Sequence, residues 1–305
     1  MIGLTLKHLK YINALATHKH FGRAAEACAI TQPALSIQIK ELEAMMGAPL
    51  VERNARQIHM TPLGRELVER AQEILVKVDE LSDVVRAAKG PMSGRFRLGI
   101  IPTIAPYILP NVVTSLGEQF PGMDLQPREA ITQSLVEDLL AHKLDAAVVA
   151  LPISDPTIRE FALFKEDFVL VRNLKDDDKP VPSPSRLKEM KLLLLEEGHC
   201  FRDQAISFCD LSGPTTRDVM EGSSLSTLVQ MVGAGIGLTL IPEMAVPFET
   251  RSADVSVARF KSKSPSRTIG LIWRKSNPLK EQLLEIGAVV RGVGQKRREE
   301  IISIC

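Results

Sequence analysis

Apolar residues recur at helical spacing through the first part of the chain. In residues 4–16 they return every three or four positions, at Leu6, Leu9, Ile12, Leu15 and Ala16. A second short helical segment follows at 21–28, and a third helix is predicted over 32–47. This succession of short helical segments predicts a mainly α-helical domain at the amino terminus.

The third helix has a polar face and an apolar face. Thr31 is a good N-cap for it, and Pro33 lies early in the first turn, where proline is tolerated. Gln32, Ser36 and Lys40 recur every four positions, so they share one face. The neighbouring stripe should face the core and comprises Leu35, Ile39 and Leu42. Two short helices joined by a tight turn, the second polar on one face, are typical of a helix-turn-helix.

Positive charge is concentrated in the same region. Residues 49–64 contain two short alternating pieces around Asn54, which predicts a hairpin wing carrying Arg53 and Arg56. Residues 1–65 contain eight lysines and arginines against four glutamates, whereas the whole chain has a net charge of only +1. Any affinity for nucleic acid must therefore come from this local basic patch and not from the net charge of the whole chain.

One long helix is predicted over 62–88. Its apolar positions recur every three or four residues, at Val68, Ala71, Leu75, Val78, Leu81, Val85 and Ala88. A helix this long, apolar along one stripe and charged elsewhere, needs a partner, and a second copy of the chain is the simplest source. Packing against its own domain is the alternative.

Beyond a linker at 89–94, strand-like and helix-like segments alternate. Strands are predicted at 95–101, 123–130, 144–151, 168–173, 191–196, 236–242 and 268–273. Helices are predicted at 106–120, 131–143, 224–235 and 277–290. This alternation predicts an α/β fold, made of two subdomains with a cleft between them.

Length and composition narrow the class of protein. A chain of 305 residues allows two or three domains. It has no run of 18 or more apolar residues and no signal-peptide segment at its amino terminus, so we expect a cytoplasmic protein without membrane contact. Its four cysteines are too scattered for a disulfide scaffold, and none forms a cluster with metal-ligand spacing. We therefore predict neither a metal nor a cofactor.

Two of the four cysteines lie in the stretch LEEGHCFRDQAISFCD, at Cys200 and Cys209. The first has His199, Arg202 and Asp203 beside it. Buried inert cysteines usually have apolar neighbours, so this setting favours a reactive thiol. Inert packing in a core is the alternative for any single cysteine.

The amino-terminal segments resemble LysR-type transcriptional regulators. The resemblance is carried by FGRAAEACAITQPALSIQIKELEAMMGAPLVER followed by TPLG, and the order of segments fits over the whole chain. It implies a winged helix-turn-helix at 1–60, a dimerising linker helix at 61–90 and a regulatory domain at 91–305. That domain would contain two Rossmann-like subdomains, as in periplasmic binding proteins, at 91–163 with 268–305 and at 164–267. Members usually work as homotetramers, each a dimer of dimers.

Within that family, four segments resemble the members that sense hydrogen peroxide: GHCFRDQAISFC, IPTIAPYILP, REAITQSLV and SRTIGLIWR. This resemblance implies a regulator of oxidative-stress genes. Peroxide would oxidise Cys200 to a sulfenic acid, and Cys209 would resolve it as a reversible disulfide. The residues implied for the peroxide pocket and for thiolate activation are Thr103, Thr132, His199, Arg202, Asp203 and Arg267. Positive charge from Arg202, His199 or Arg267 would favour the thiolate.

The spacing of the two cysteines bears on how such a disulfide could form. If 200–209 were helical throughout, the two ends would lie about 13 Å apart and on opposite faces. A disulfide needs Cα atoms within about 7 Å. Phe201 and Phe208 look like core anchors at the two ends. Disulfide formation would therefore require part of 200–210 to unfold and repack, which couples the chemistry to a change of shape.

The DNA-binding residues that the resemblance implies are Thr31, Gln32, Pro33, Ser36, Gln38, Lys40 and Arg53. The helix residues would meet base edges, with Gln38 and Lys40 contacting bases or phosphates. Arg53 in the wing would enter the adjacent minor groove. The expected partners are double-stranded promoter DNA, RNA polymerase and a cellular thiol reductant.

Two other functions stay open. Most LysR-type proteins respond to a small molecule, such as a metabolite acid, in the cleft between the subdomains, and a response retained after Cys200→Ser would favour that function here. A thiol peroxidase that happens to bind DNA would need turnover with a reductant. The sequence shows no CxxC partner and no second catalytic centre, so we do not expect an enzyme.

Overall fold

The structure is a computed structural model that describes residues 3–53, 58–88, 93–187, 189–208, 220–260 and 264–304. The chain divides into two compact units, Met1–Val85 and Arg86–Cys305. None of the described helices is both long enough and apolar enough to cross a membrane.

The amino-terminal unit is helical with a small hairpin. Its elements are α1 (Leu6–His18), α2 (Phe21–Ala27), α3 (Gln32–Met46), β1 (Val51–Arg53), β2 (Ile58–Met60) and most of α4 (Pro62–Ala88). Thr31 caps α3 as predicted, because its hydroxyl accepts a hydrogen bond from the Ala34 amide at 3.4 Å. The apolar stripe of α3 is buried against α1, also as predicted. The antiparallel β1–β2 pair confirms the wing, while its tip at 54–57, with Arg56, lies outside the described residues.

The carboxy-terminal unit alternates strands and helices. Its strands are β3 (Gly94–Ile100), β4 (Met123–Glu129), β5 (Ala146–Leu151), β6 (Ile158–Asn173), β7 (Leu192–Leu195), β8 (Met220–Gly222), β9 (Leu238–Pro242), β10 (Val255–Ala258) and β11 (Ser266–Arg274). Its helices are α5 (Ala105–Gln119), α6 (Thr132–Leu140), α7 (Pro184–Leu187), α8 (Cys200–Phe208), α9 (Leu225–Gly233), α10 (Val246–Glu249) and α11 (Lys280–Ile304). The predicted α/β fold is confirmed.

The long strand β6 joins two halves of this unit. Strand order is β4-β3-β5-β11-β6-β9-β7-β8, with β10 also paired to β6. The first part of β6 pairs with β11, and its last part, from Phe168, pairs with β9 and β10. We call 94–167 with 266–304 the first half, and 168–260 the second half. Each half has its own parallel strands: β3 with β4 and β5, and β7 with β8 and β9.

Candidate functional site

A small pocket lies between the two halves of the carboxy-terminal unit. Its walls come from the loop after β3, the start of α6 and the start of α8, namely Ile101, Pro102, Thr103, Ile131, Thr132, His199, Cys200 and Phe201. The space is too narrow for a water-sized sphere to fit inside it clear of the walls. The walls must therefore part slightly to admit even a small molecule. We call this space the thiol pocket.

Cys200 is the first residue of α8 and is half-buried in the wall of the thiol pocket. The chain enters the helix through Gly198, whose φ of +94° lies in the left-handed region that favours glycine. A Cβ at this position would lie 2.9 Å from Ile131 Cδ1, a contact that a small shift of the isoleucine side chain would relieve, so the positive φ is the stronger reason for glycine. The amide groups at a helix N-terminus attract negative charge, which suits a nucleophilic sulfur at this position.

Thr103 lines the thiol pocket, and its hydroxyl accepts a hydrogen bond from Arg267. Arg267 Nη1 donates to Thr103 Oγ1 at 2.7 Å, and Nη2 donates to the Thr103 carbonyl at 3.0 Å. Both residues are buried. Because the Thr103 oxygen accepts from a cation, its own hydrogen remains to be donated, and it becomes a stronger donor.

Thr132 adds a second hydroxyl to the thiol pocket. Its Oγ1 is buried, and within the described residues it has no hydrogen-bond partner. A buried polar group without a partner is uncommon in a folded protein and is a sign of a role beyond packing. The resemblance predicted both threonines for one pocket, and the structure brings them together with Cys200.

His199 also lines the thiol pocket, but as a neutral group. Burial lowers the pKa of His199, and Glu196 opposes that shift. The imidazole is therefore mostly neutral at pH 7, because even an unperturbed histidine has a pKa of about 6.5. His199 can exchange hydrogen bonds in the pocket, but it does not supply the positive charge that was expected from it.

Arg202 and Asp203 do not line the thiol pocket. Arg202 Nη1 donates to the Leu195 carbonyl at 2.8 Å and lies 2.7 Å from Glu221 Oε1. Asp203 is exposed on α8. The structure thus assigns Arg202 to fastening α8 onto the sheet, and it gives Asp203 no contact with the thiol pocket.

The segment that follows Cys200 is helical as far as Phe208, while Cys209 lies outside the described residues. Phe201 packs edge-on against Phe168 with ring centroids 4.7 Å apart, and Phe208 packs against Phe260 at 5.2 Å. These contacts confirm the two phenylalanines as anchors. A helix held at both ends must loosen before its first residue can move far.

Sequence reasoning missed Glu166, which lies on β6 behind the thiol pocket. Its side chain is fully buried, and its Oε2 accepts from Arg267 Nε at 2.9 Å and lies 2.8 Å from Arg267 Nη2. Its Oε1 accepts from the Met244 amide at 3.2 Å. Glu166 lies just before the predicted strand 168–173, so nothing in the sequence indicated that its carboxylate would be buried in the sheet.

The candidate DNA-binding surface is the exposed face of α3. Gln32, Pro33 and Lys40 are exposed, and Thr31 beside them is exposed as well. Ser36 and Gln38 are half-buried, and Gln38 Nε2 donates to Glu41 Oε2 at 2.6 Å. Arg53 is placed at the end of β1, but its side chain lies outside the described part of the chain. Gln32, Ser36 and Lys40 share one face of α3, whereas Gln38 lies about 200° around the helix from Ser36.

A much larger cavity lies elsewhere in the second half, where β7 and β9 begin. It holds about 1360 Å³ and is bordered by Arg172, Lys175 and Lys191. None of the thiol-pocket residues lines it. Between the two halves, the thiol pocket has no room for even a water-sized sphere, whereas small-molecule sites usually begin at roughly 300 Å³.

Two family models match the chain in succession. Residues 6–65 match the bacterial regulatory helix-turn-helix protein, lysR family, and residues 89–293 match the LysR substrate binding domain. The first match covers α1 to the start of α4, and the second covers all the strands of the carboxy-terminal unit.

Curated relatives and solved structures extend this similarity over nearly the whole chain. A probable hydrogen peroxide-inducible genes activator of Streptomyces viridosporus is 39% identical over 94% of this chain and 93% of its own. The DNA-binding transcriptional dual regulator OxyR of Escherichia coli K12 is 37% identical over 94% and 95%. A hydrogen-peroxide-bound structure of a cysteine-to-serine variant of Corynebacterium glutamicum OxyR is 33% identical, covers 98% and 95% of the two chains and superposes with a TM-score of 0.67.

Proposed function

Because the chain belongs to the LysR family of bacterial helix-turn-helix regulators, we propose that it regulates oxidative-stress genes and senses hydrogen peroxide through Cys200. The observation that carries the proposal is the position of Cys200 in a narrow pocket with two threonine hydroxyls, those of Thr103 and Thr132. A water molecule occupies about 30 Å³ in the liquid. A space this narrow, which must open slightly even for a molecule of that size, suits a peroxide of two oxygen atoms better than a metabolite acid.

The first chemical step is the attack of the Cys200 thiolate on one peroxide oxygen. The S–O bond forms as the O–O bond breaks, so the sulfur loses two electrons and the peroxide gains them. The departing hydroxide takes a proton from solvent and leaves as water. Thr103 and Thr132 donate hydrogen bonds to the leaving oxygen, where negative charge develops. Cys200 remains as a sulfenic acid.

The second step links Cys200 to Cys209. The Cys209 thiol displaces the hydroxyl group of the sulfenic acid, an S–S bond forms and water leaves. Because α8 is helical from Cys200 to Phe208 and is anchored at both ends, bond formation requires the helix to unwind at least partly. This unwinding changes the structure around α8 and so transmits the oxidation of Cys200 beyond the thiol pocket.

The output is a change in how the helix-turn-helix meets promoter DNA. We expect the chain to act as a homotetramer in the bacterial cytoplasm, to engage RNA polymerase at the promoter, and to be returned to its reduced form by a cellular thiol reductant. One oxidation switches one protomer, so the chain acts as a regulator and not as an enzyme.

Thiol mapping tests this function. Reduced full-length protein is exposed to hydrogen peroxide for seconds, blocked, and analysed by mass spectrometry alongside a DNA footprint. We expect a Cys200–Cys209 disulfide and an altered footprint in the wild type, and a dimedone-trapped sulfenic acid at Cys200 in Cys209→Ser. Cys200→Ser should show neither product.

Cys28→Ser is the matched control. Cys28 lies in the amino-terminal unit, and burial raises the pKa of its thiol, which keeps it in the less reactive protonated form. This variant should oxidise like the wild type. Two outcomes would refute the function: both thiols still free at doses that oxidise a thiol peroxidase, or a peroxide response retained in Cys200→Ser.

A further inference from the structure

The contacts of Glu166 and Arg267 form a fully buried unit next to the thiol pocket. Both side chains have no exposed surface. Glu166 receives three hydrogen bonds or ion-pair contacts, from Arg267 Nε, Arg267 Nη2 and the Met244 amide, at 2.8–3.2 Å. Arg267 also donates to Thr103, from Nη1 to the hydroxyl oxygen and from Nη2 to the carbonyl. The three residues come from β6, β11 and the loop after β3, so the unit joins three separate elements.

The charges of this unit cancel. Burial raises the pKa of Glu166, and Arg267 lowers it. An arginine keeps its proton in proteins, and a buried guanidinium without a counter-ion is very unfavourable. Glu166 is therefore ionised beside Arg267. Because its charge is balanced by Glu166, Arg267 exerts little net electrostatic effect on Cys200. Its effect on the thiol must therefore act through its hydrogen bond to Thr103.

The direction of that hydrogen bond depends on Glu166. A guanidinium is planar, and in Arg267 both Nε and Nη2 contact Oε2 of Glu166, which fixes the orientation of the plane. With that plane fixed, Nη1 meets Thr103 Oγ1, and the Thr103 hydrogen is left to point elsewhere. The ring of Phe201, next to Cys200, lies 5.4 Å from the guanidinium carbon, and an aromatic face does not fix rotation within the plane.

We propose that Glu166 is a positioning residue for the reduction of peroxide at Cys200, acting through Arg267 and Thr103 and touching neither the thiol nor the peroxide. The inference rests on the proposed function. Glu166 holds the guanidinium, the guanidinium holds the Thr103 oxygen, and the Thr103 hydrogen is thereby aimed at the leaving oxygen. Loss of Glu166 weakens the reaction that needs this donor and spares a reaction that does not.

The test compares two reactions of the same sulfur in the reduced full-length protein. Hydrogen peroxide needs a donor at its leaving oxygen, whereas iodoacetamide alkylates the thiolate and releases iodide without one. The measured quantity is the ratio of the two second-order rate constants at Cys200. In Glu166→Gln we expect this ratio to fall about ten-fold, less than the roughly 10²–10³ known for complete removal of an oxyanion donor. A general loosening of the thiol pocket would change both rates and leave the ratio unchanged.

The matched control is Asp145→Asn. Asp145 is also fully buried, and it accepts from Nε and Nη2 of one arginine, Arg97, and from one backbone amide. It does not line the thiol pocket. This variant loses a comparable buried carboxylate, so it should lose stability while keeping the wild-type ratio.

A double-mutant cycle identifies the route. If Glu166 acts through Thr103, then adding Glu166→Gln to Thr103→Val should lower the ratio no further than Thr103→Val alone. Glu166→Asp supplies a second variant should the glutamine form fail to fold, because it keeps the charge but shortens the reach to the guanidinium. Its ratio should also fall.

The outcomes separate the two proposals. If wild-type Cys200 does not react with peroxide, the proposed function fails and the positioning question does not arise. If the wild type reacts and the ratio is unchanged in every folded Glu166 variant, the positioning role alone is wrong. Additive losses in the double mutant would equally overturn the route through Thr103.

Discussion

Arg202 Nη1 lies 2.7 Å from Glu221 Oε1 and donates to the Leu195 carbonyl at 2.8 Å, so the first turn of α8 is fastened to β7 and β8. Arg202 is two residues from Cys200, yet its charge is directed at the sheet and away from the thiol pocket. In the proposed disulfide step between Cys200 and Cys209, the same turn must loosen. The Arg202 contacts therefore oppose the rearrangement that the disulfide requires.

Replacement of Arg202 by alanine should release α8 without touching the pocket. A hydrogen bond from a charged group contributes about 1.5–3 kcal/mol when buried, and half-exposed ion pairs contribute less. We expect a loss of about 1 kcal/mol in the local stability of α8, which is roughly a five-fold rise in its open population. Hydrogen exchange of 200–208 in the reduced protein measures it. Arg159→Ala, at an exposed position on β6, is the control. Equal exchange in both variants would contradict the fastening role.

The two pocket threonines should respond oppositely to the loss of their hydroxyls. Thr132 Oγ1 has no partner among the described residues, so Thr132→Val removes an unsatisfied buried group and should leave stability unchanged or raised by about 1 kcal/mol. Thr103→Val removes the hydrogen-bond acceptor of Arg267 Nη1 and should lower the free energy of unfolding by about 1–3 kcal/mol. Both should slow the reaction of Cys200 with peroxide.

Urea unfolding can resolve the two effects. The only tryptophan, Trp273, is buried in β11 and reports on the carboxy-terminal unit. Peroxide rates come from stopped-flow measurements on the same samples. A Thr132→Val protein that reacts with peroxide as fast as the wild type would remove this hydroxyl from the mechanism.

Elements with a simple burial period could be predicted from the sequence. Leu35, Ile39 and Leu42 are fully buried at the helical spacing that predicted them, and β5, an inner strand between β3 and β11, is buried along almost its whole length. The hairpin wing and the long helix α4 follow the same logic. The resemblance pointed to Cys200, Thr103 and Thr132 because they lie in contiguous matching segments, and the structure places all three on the thiol pocket.

What could not be predicted depends on distant partners and on side-chain direction. The predicted strand 168–173 is only the end of β6, because Glu166 breaks the apolar pattern and is buried against distant partners, Arg267 and the Met244 amide. Arg202 was expected at the thiol because it is near in sequence. Two positions along a helix turn a side chain by about 200°, so Arg202 faces away from Cys200. The last helix also runs on to Ile304.

His199 should make the stability of the carboxy-terminal unit depend on pH. Burial lowers the pKa of His199 in the folded state, whereas the unfolded imidazole titrates near pH 6.5. As the pH falls through about 6.5, the unfolded chain binds a proton that the folded chain does not, so unfolding becomes more favourable. Above about pH 7.5 the imidazole is neutral in both states and contributes no pH dependence.

His199→Gln should flatten this dependence. Urea unfolding followed by Trp273 fluorescence from pH 7.5 to 5.5 should show a smaller loss of stability in the variant than in the wild type. The two curves should run parallel above pH 7.5. Parallel curves over the whole range would mean that His199 is protonated equally in the folded and unfolded states.

Residues on the exposed face of α3 should contribute separately to the affinity and to the sequence specificity of DNA binding. Lys40 is exposed, and loss of one phosphate contact lowers the slope of log affinity against log salt by about 0.9. Lys40→Ala should therefore weaken binding to cognate and unrelated DNA alike. Gln32→Ala should keep the salt slope and lose about 1–3 kcal/mol of discrimination at one base pair. Fluorescence anisotropy at several salt concentrations, with cognate and single-substituted duplexes, measures both. If Lys40→Ala instead lost discrimination at one base at constant slope, Lys40 would be a base-reading residue and the phosphate contact would belong elsewhere on the surface.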